Sequence, residues 1–256
     1  AELAGDEQEF QARIKPYRIE TLEDAGMRVV VAPELSGRII AMTDKRKSFE
    51  LLRRPSPGER GYPDVGGLAV SVAPDWHTRT RYPVSWTLES VSGTRELVLA
   101  GLAPNGLKLR HRIWRGGDEI RVFTETTLEN TSAAAIDAAL LWRVEADPGG
   151  DYRDVEVRFQ TRDGSMVERT LVRLEEQPSG SESYIGGRLP QGEWFVANRQ
   201  SGATFRGAVF EAARVNLSWT AKAQKRVTME GWSAPQKLAP GERLQLRGYY
   251  GVYWRQ

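Results

Sequence analysis

Charged and aromatic side chains are concentrated in residues 74–82, here called the 74–82 segment. Five of its side chains carry a carboxylate, an indole, an imidazole or a guanidinium group: Asp75, Trp76, His77, Arg79 and Arg81. Aromatic faces stack on the apolar side of pyranose rings, and charged groups hydrogen-bond the sugar hydroxyls. The combination predicts a carbohydrate-binding loop. Two alternatives stay open: the two arginines hold an anionic sugar or phosphate, or local ion pairs pin a surface loop.

The other aromatic and imidazole side chains divide into cleft and core candidates. Trp76, Trp194 and Trp232 lie next to turn-like residues, which favours a position in a ligand cleft. Trp142 lies at a strand position where burial is expected. Of the two histidines in the chain, His111 alternates with apolar residues, so a structural role in the core is expected for it.

Several chemistries have no support in the sequence. Without cysteine the chain has no disulfide, thiolate metal site or cysteine nucleophile. It has no Gly-rich phosphate loop, no paired His motif and no Gly-x-Ser-x-Gly elbow. An acidic cluster at Asp147, Asp151 and Asp154 is explained better by a solvated turn than by calcium, which needs about six or more oxygen ligands. We therefore expect neither a metal nor a cofactor.

The charge balance limits the partners of the chain. The 36 Lys and Arg nearly cancel the 34 Asp and Glu, and a net charge of +2 gives little attraction to nucleic acid or membrane surfaces. No apolar run approaches the length of about 18 residues that a membrane-spanning helix needs. Because the sequence begins at Ala1 rather than Met, we expect a processed or excised chain with a neighbouring domain, periplasmic or secreted in preference to cytoplasmic.

The elements that must position these residues alternate with period two, the pattern of half-buried β-strands. Residues 107–113 and 118–130 form the clearest pair and predict a long hairpin. The chain is therefore expected to be all-β, a large antiparallel β-sandwich formed as one domain over residues 1–256, with 1–24 as a peripheral N-terminal segment. We expect no helix longer than about two turns. Residues 55–83 are the best candidate for an irregular segment.

Four motifs resemble the galactose mutarotase-like superfamily, whose members have the supersandwich fold. They are Val29–Ile39 with its Gly-Arg pair, Gly66-Gly67-Leu68 followed by Ala73-Pro74, the strand ending Leu128-Glu129-Asn130-Thr131-Ser132, and Leu238-Ala239-Pro240-Gly241-Glu242 before the last strand. The similarity covers most of the chain from about residue 25 onward. It implies a sugar-handling protein with one broad concave sheet.

Mutarotases of this superfamily use a carboxylate base and a histidine acid to open the sugar ring. The resemblance implies that Glu230 is the base, because it stands on a strand shortly before the Pro-Gly-Glu ending. The acid position falls at residues 140–142, where Leu140, Leu141 and Trp142 stand and no histidine is present. Neither Leu nor Trp delivers a proton, so the chain is closest to uncharacterised, non-mutarotase members.

Three functions stay open. The favoured one is a carbohydrate-recognising domain, accessory or binding in character, whose ligand contacts are Asp75, Trp76, Arg79, Arg81 and Trp232. The second is an aldose 1-epimerase or mutarotase-like enzyme with Glu230 as base and His77 as the replacement acid. The third is a structural interdomain module without a sugar ligand.

Overall fold

The computed structural model describes residues 2–55, 57–59, 62, 64–78, 80–117, 120–171, 179–220 and 226–254. Its described elements are one α-helix, nineteen strands and two short 3-10 helices at Tyr152–Asp154 and Gly186–Arg188: α1 (Glu2–Ile14), β1 (Glu20–Glu23), β2 (Met27–Ala32), β3 (Arg38–Asp44), β4 (Phe49–Glu50), β5 (Leu68–Ala73), β6 (Ser85–Ser92), β7 (Glu96–Leu102), β8 (Leu107–Arg115), β9 (Arg121–Asn130), β10 (Ile136–Ala146), β11 (Val155–Thr161), β12 (Met166–Thr170), β13 (Ser179–Ile185), β14 (Pro190–Asn198), β15 (Ala203–Val209), β16 (Arg214–Thr220), β17 (Arg226–Trp232), β18 (Gln236–Leu238) and β19 (Arg243–Trp254).

The strands form two antiparallel sheets, so the all-β prediction is confirmed. Sheet I has the order β1-β2-β3-β5-β10-β17-β16-β13, with β4 added to β3 and β18 added to β10. Sheet II has the order β12-β11-β14-β15-β19-β9-β8-β7-β6. Their facing sides enclose the main core, in which the rings of Trp142 on β10 and Tyr250 on β19 lie 6.0 Å apart. No helix among the described residues is long and apolar enough to cross a membrane.

Strict alternation produces the hairpin that the sequence predicts. Val122, Thr124, Thr126 and Leu128 of β9 are all fully buried, whereas the residues between them are partly exposed. β8 pairs with β9 in antiparallel register, with Trp114 opposite Phe123. Because side chains of a strand point alternately to its two faces, a period-two sequence lays one face of the hairpin on the core.

The prediction that no helix exceeds two turns was wrong, because α1 contains 13 residues. Phe10 and Ile14 of this helix are buried against Val30 and Ile40, which lie on the outer face of sheet I. Residues four apart share one helix face, so these two side chains pack on sheet I together. Arg13, beside them, is also buried and donates to the carbonyl of Val65 at 3.2 Å. The otherwise polar sequence of α1 gives little helical periodicity to detect.

The 55–83 stretch is also more ordered than expected. Its middle part forms β5, which pairs with β10 over six residues and lies between β3 and β10 in sheet I. Leu68, Val70 and Val72 of β5 enter the core. The strand has six residues and lies between Gly67 and Pro74, so its short apolar pattern is difficult to recognise among the turn-forming residues around it.

Candidate functional site

Polar side chains cover the outer face of sheet I where β10, β17 and β16 run side by side. On β17, Val227 and Met229 enter the core, so Glu230 points to the outer face. The strand register places Glu230 opposite Arg143 of β10 on one side and opposite Asn216 of β16 on the other. A carboxylate therefore lies at the centre of a row of three polar residues.

Hydrogen bonds fix the orientation of the Glu230 carboxylate. Nδ2 of Asn216 donates to Oε2 of Glu230 at 3.1 Å. Oδ1 of Asn216 in turn accepts from Nε of Arg214 at 2.9 Å and from the hydroxyl of Ser183 at 2.8 Å. Among the described residues, none hydrogen-bonds Oε1 of Glu230. One carboxylate oxygen is thus held by the sheet, and the other is available to a ligand.

The 74–82 segment is shaped by Asp75 and anchored by Trp76. Oδ1 of Asp75 accepts the backbone N–H groups of Thr78 at 2.7 Å and His77 at 2.6 Å. These two hydrogen bonds, that of Thr78 first, lower the pKa of Asp75. Nε1 of Trp76 donates to the carbonyl of Ser233 at 2.8 Å, which ties the segment to the end of β17.

Two guanidinium groups stack on indole rings beside Glu230. The guanidinium carbon of Arg81 lies 4.8 Å from the ring centroid of Trp232, and that of Arg214 lies 5.9 Å from that of Trp76. Both distances are in the cation–π range. Trp232 is only 2% exposed, so Arg81 and its apolar neighbours shield it from solvent. Burial lowers the pKa of Arg81, and the charge of Glu230 opposes that shift.

An ionic cluster adjoins the row near the carboxyl-terminal end of β10. Glu145 is 2% exposed, and one of its oxygens lies 3.0 Å from Nε of Arg53. Its other oxygen lies 3.2 Å from Arg143 and 3.8 Å from Arg226. Three guanidinium groups therefore share one buried carboxylate, an arrangement that fixes Arg143 beside Glu230.

The structure brings Trp76, Arg81, Glu230 and Trp232 to one face of sheet I. Asp75 lies on the same segment, with one carboxylate oxygen engaged by backbone N–H groups. The other predicted residues lie elsewhere. His77 is exposed and forms no hydrogen bond with Glu230 among the described residues. Trp194 is 3% exposed and lies in the core rather than in a cleft, and Arg79 lies outside the described residues. His111 is fully buried, as expected.

Sequence reasoning missed Arg143, Asn216 and Arg214. Arg143 is a polar residue in the mainly apolar strand β10, and Arg214 and Asn216 are outward residues of β16, in which polar and apolar residues alternate. At the position expected for a catalytic acid, Leu141 lies opposite Trp232, and Arg143, just beyond this position, lies opposite Glu230. Within the described ranges, no group of three His, Asp or Glu side chains is placed to hold a metal ion.

No protein-family model and no curated protein matches this sequence. Among solved structures, the Slr1438 protein from Synechocystis sp. PCC 6803 has a TM-score of 0.71 and 12% sequence identity, over 93% of this chain and 96% of that chain. A galactose mutarotase-like protein from Lactobacillus casei ATCC 334 has a TM-score of 0.69 and 11% identity, over 92% and 100%. A TPR-domain containing protein from Parabacteroides distasonis ATCC 8503 has a TM-score of 0.67 and 15% identity, over 94% of this chain and 48% of that chain.

These similarities confirm the fold that the sequence motifs imply. The chain has the galactose mutarotase-like fold, in which two large antiparallel sheets pack face to face. At 11% to 15% identity the likeness concerns the fold alone. The function has to be argued from the outer face of sheet I.

Proposed function

We propose that this chain is a carbohydrate-recognising domain that binds a saccharide on the outer face of sheet I, against the 74–82 segment. The observation that supports the proposal is the carboxylate of Glu230, which lies between Asn216 and Arg143. Asn216 holds its Oε2 atom, and its Oε1 atom is available to hydrogen-bond a ligand. Carboxylates accept hydrogen bonds from sugar hydroxyls, whereas guanidinium and amide groups donate to them. Trp76 is partly exposed beside this row and offers an aromatic surface.

Binding is favoured over catalysis because, in the described part of the chain, no side chain that releases a proton near neutral pH hydrogen-bonds Glu230. A general acid must reach the ring oxygen within hydrogen-bond distance and release its proton near neutral pH. Leu141 has no proton to give, and the guanidinium of Arg143 keeps its proton at all physiological pH values. His77, the alternative acid, is exposed on the 74–82 segment.

An aldose epimerase is the second candidate function. It is favoured by Oε1 of Glu230, which is available to act as a base, and by the fold shared with a galactose mutarotase-like protein. In this mechanism Glu230 removes the proton of the anomeric hydroxyl, and His77 donates a proton to the ring oxygen. Polarimetry of freshly dissolved sugars separates the two functions.

A glycan array with matched tryptophan variants tests the proposal. We expect the wild type to bind a subset of saccharides and Trp76→Ala to bind them at least about fivefold more weakly, because a stacking surface is lost. Trp114→Ala is the control, since Trp114 is partly exposed on the outer face of sheet II. Absence of binding to every saccharide would favour the structural interdomain module instead.

A further inference from the structure

The arginines around Glu230 are not all neutralised by carboxylates. In the described part of the chain, no carboxylate oxygen lies within 4.0 Å of the guanidinium group of Arg81 or Arg214. Arg81 donates to the carbonyl of Thr78 at 2.9 Å, and Arg214 donates to uncharged oxygens only. By contrast, Arg53 is paired with both Glu59 and Glu145.

The arginines of this face differ in their ion pairs. Arg143 and Arg226 share the buried carboxylate of Glu145, whereas Arg81 and Arg214 form no ion pair with a described carboxylate. Arg81 and Arg214 are therefore open to pairing with an anionic ligand.

Arg143 and Arg81 are placed to contact one anionic ligand together. Each lies close enough to Glu230 to interact with it, Arg143 as its cross-strand neighbour and Arg81 through its charge. The Nε atom of Arg143 is buried without a hydrogen-bond partner, while 38% of the side chain remains exposed. Partial burial strengthens the attraction between a guanidinium group and an incoming anion.

We propose that the saccharide is acidic and that its anionic group binds between Arg81 and Arg143, while Glu230 and Asn216 hydrogen-bond its hydroxyls. This inference rests on the proposed function and names its ligand class. Carboxylate, sulfate and phosphate groups share the oxygen geometry that the planar fork of a guanidinium matches. A neutral sugar would leave Arg81 and Arg214 without an anionic partner among the described residues.

Calorimetric titration with matched acidic and neutral sugars tests the inference. The probes are trigalacturonate against galactotriose, and galactose 6-sulfate and galactose 6-phosphate against galactose, which identify the anionic group that binds. We expect at least one acidic probe to bind about tenfold or more tightly than its neutral partner, with a preference that falls as salt rises.

Arginine variants locate the anion. Arg81→Gln and Arg143→Gln are expected to abolish the acidic preference and leave weak neutral binding. Arg110→Gln is the control, because Arg110 forms an exposed pair with Glu89 on sheet II. Since Arg81 lies on the 74–82 segment and contacts no buried carboxylate, its variant stays informative if Arg143→Gln unfolds.

Three results would count against the inference, and they are distinguishable. Equal binding of acidic and neutral probes overturns the acidic ligand and leaves the carbohydrate-binding proposal intact. An acidic preference that persists in Arg81→Gln overturns the assigned position of the anion. Failure of every probe and every arrayed saccharide to bind overturns both proposals.

Discussion

Arg143 stands directly opposite Glu230 in the antiparallel pair of β10 and β17, and both side chains point to the outer face of sheet I. Opening a sugar ring requires one group that gives a proton to the ring oxygen and one that accepts the proton of the anomeric hydroxyl. Arg143 does not release its proton at physiological pH. The pair is therefore suited to hydrogen-bonding a polar ligand, but it does not contain the acid that ring opening requires.

The first prediction concerns mutarotation. In polarimetry of freshly dissolved galactose and glucose, the wild type should leave the rate within about twofold of the spontaneous rate, because one missing acid normally removes a factor of about a hundred or more. The Glu230→Gln variant should give the same trace. A clear acceleration by the wild type that disappears in Glu230→Gln would establish the epimerase instead.

The second prediction concerns the buried carboxylate of Glu145. Glu145→Gln removes the negative charge that Arg53, Arg143 and Arg226 share. Arg143 and Arg226 are partly exposed and Arg53 keeps its pair with Glu59, so the free energy of unfolding in urea should fall by about 1–3 kcal/mol. Glu89→Gln breaks an exposed pair and should cost less than about 1 kcal/mol. Equal losses in the two variants would contradict a structural role for the cluster.

Much of the fold could be predicted from sequence because one face of each sheet is buried. β9 alternates buried and partly exposed residues over its full length, so the alternation of its sequence predicts both the strand and its buried face. β5 and α1 escaped prediction for physical reasons. β5 is a short strand between glycine and proline. In α1, the buried apolar side chains that the structure describes are those of Phe10 and Ile14, and two such residues give little helical periodicity.

The candidate site was only partly predictable. Trp76 and Arg81 lie in one polar segment of the sequence, and Glu230 was found through its motif context. Arg143 and Asn216 meet Glu230 through strand register, which depends on the pairing of β10 and β16 with β17. A single sequence shows that these residues are polar but does not show which strands will be neighbours.

The third prediction concerns close packing at Gly248 of β19. A Cβ atom at this position would lie 2.1 Å from the carbonyl oxygen of Ala208 and 2.5 Å from Cζ3 of Trp142. Gly248→Ala should therefore lower the free energy of unfolding by about 1–3 kcal/mol, measured in urea. Gly192→Ala, where nothing lies within 4 Å, should change it by no more than about 1 kcal/mol. A harmless Gly248→Ala would show that the two sheets are less tightly packed.

The fourth prediction concerns acid stability and His111. This side chain is fully buried, its Nδ1 lies 2.8 Å from Oγ1 of Thr126, and Nε1 of Trp142 donates to the same oxygen at 3.1 Å. Burial lowers the pKa of His111 from 6.5 to about 4. Between these two pH values the unfolded chain binds a proton that the folded chain does not, so folding loses stability as the pH falls from 6.5 to 4.

The size of this loss follows from the two pKa values. At about 1.4 kcal/mol per pKa unit, the His111 contribution that is present at neutral pH and lost by pH 4 amounts to about 3 kcal/mol. His111→Gln keeps a polar partner for Thr126 and does not titrate, so urea unfolding of this variant should show a shallower loss over the same pH range. If wild type and variant lose stability in parallel, other groups carry the acid sensitivity and the pKa of His111 is the same in the folded and the unfolded chain.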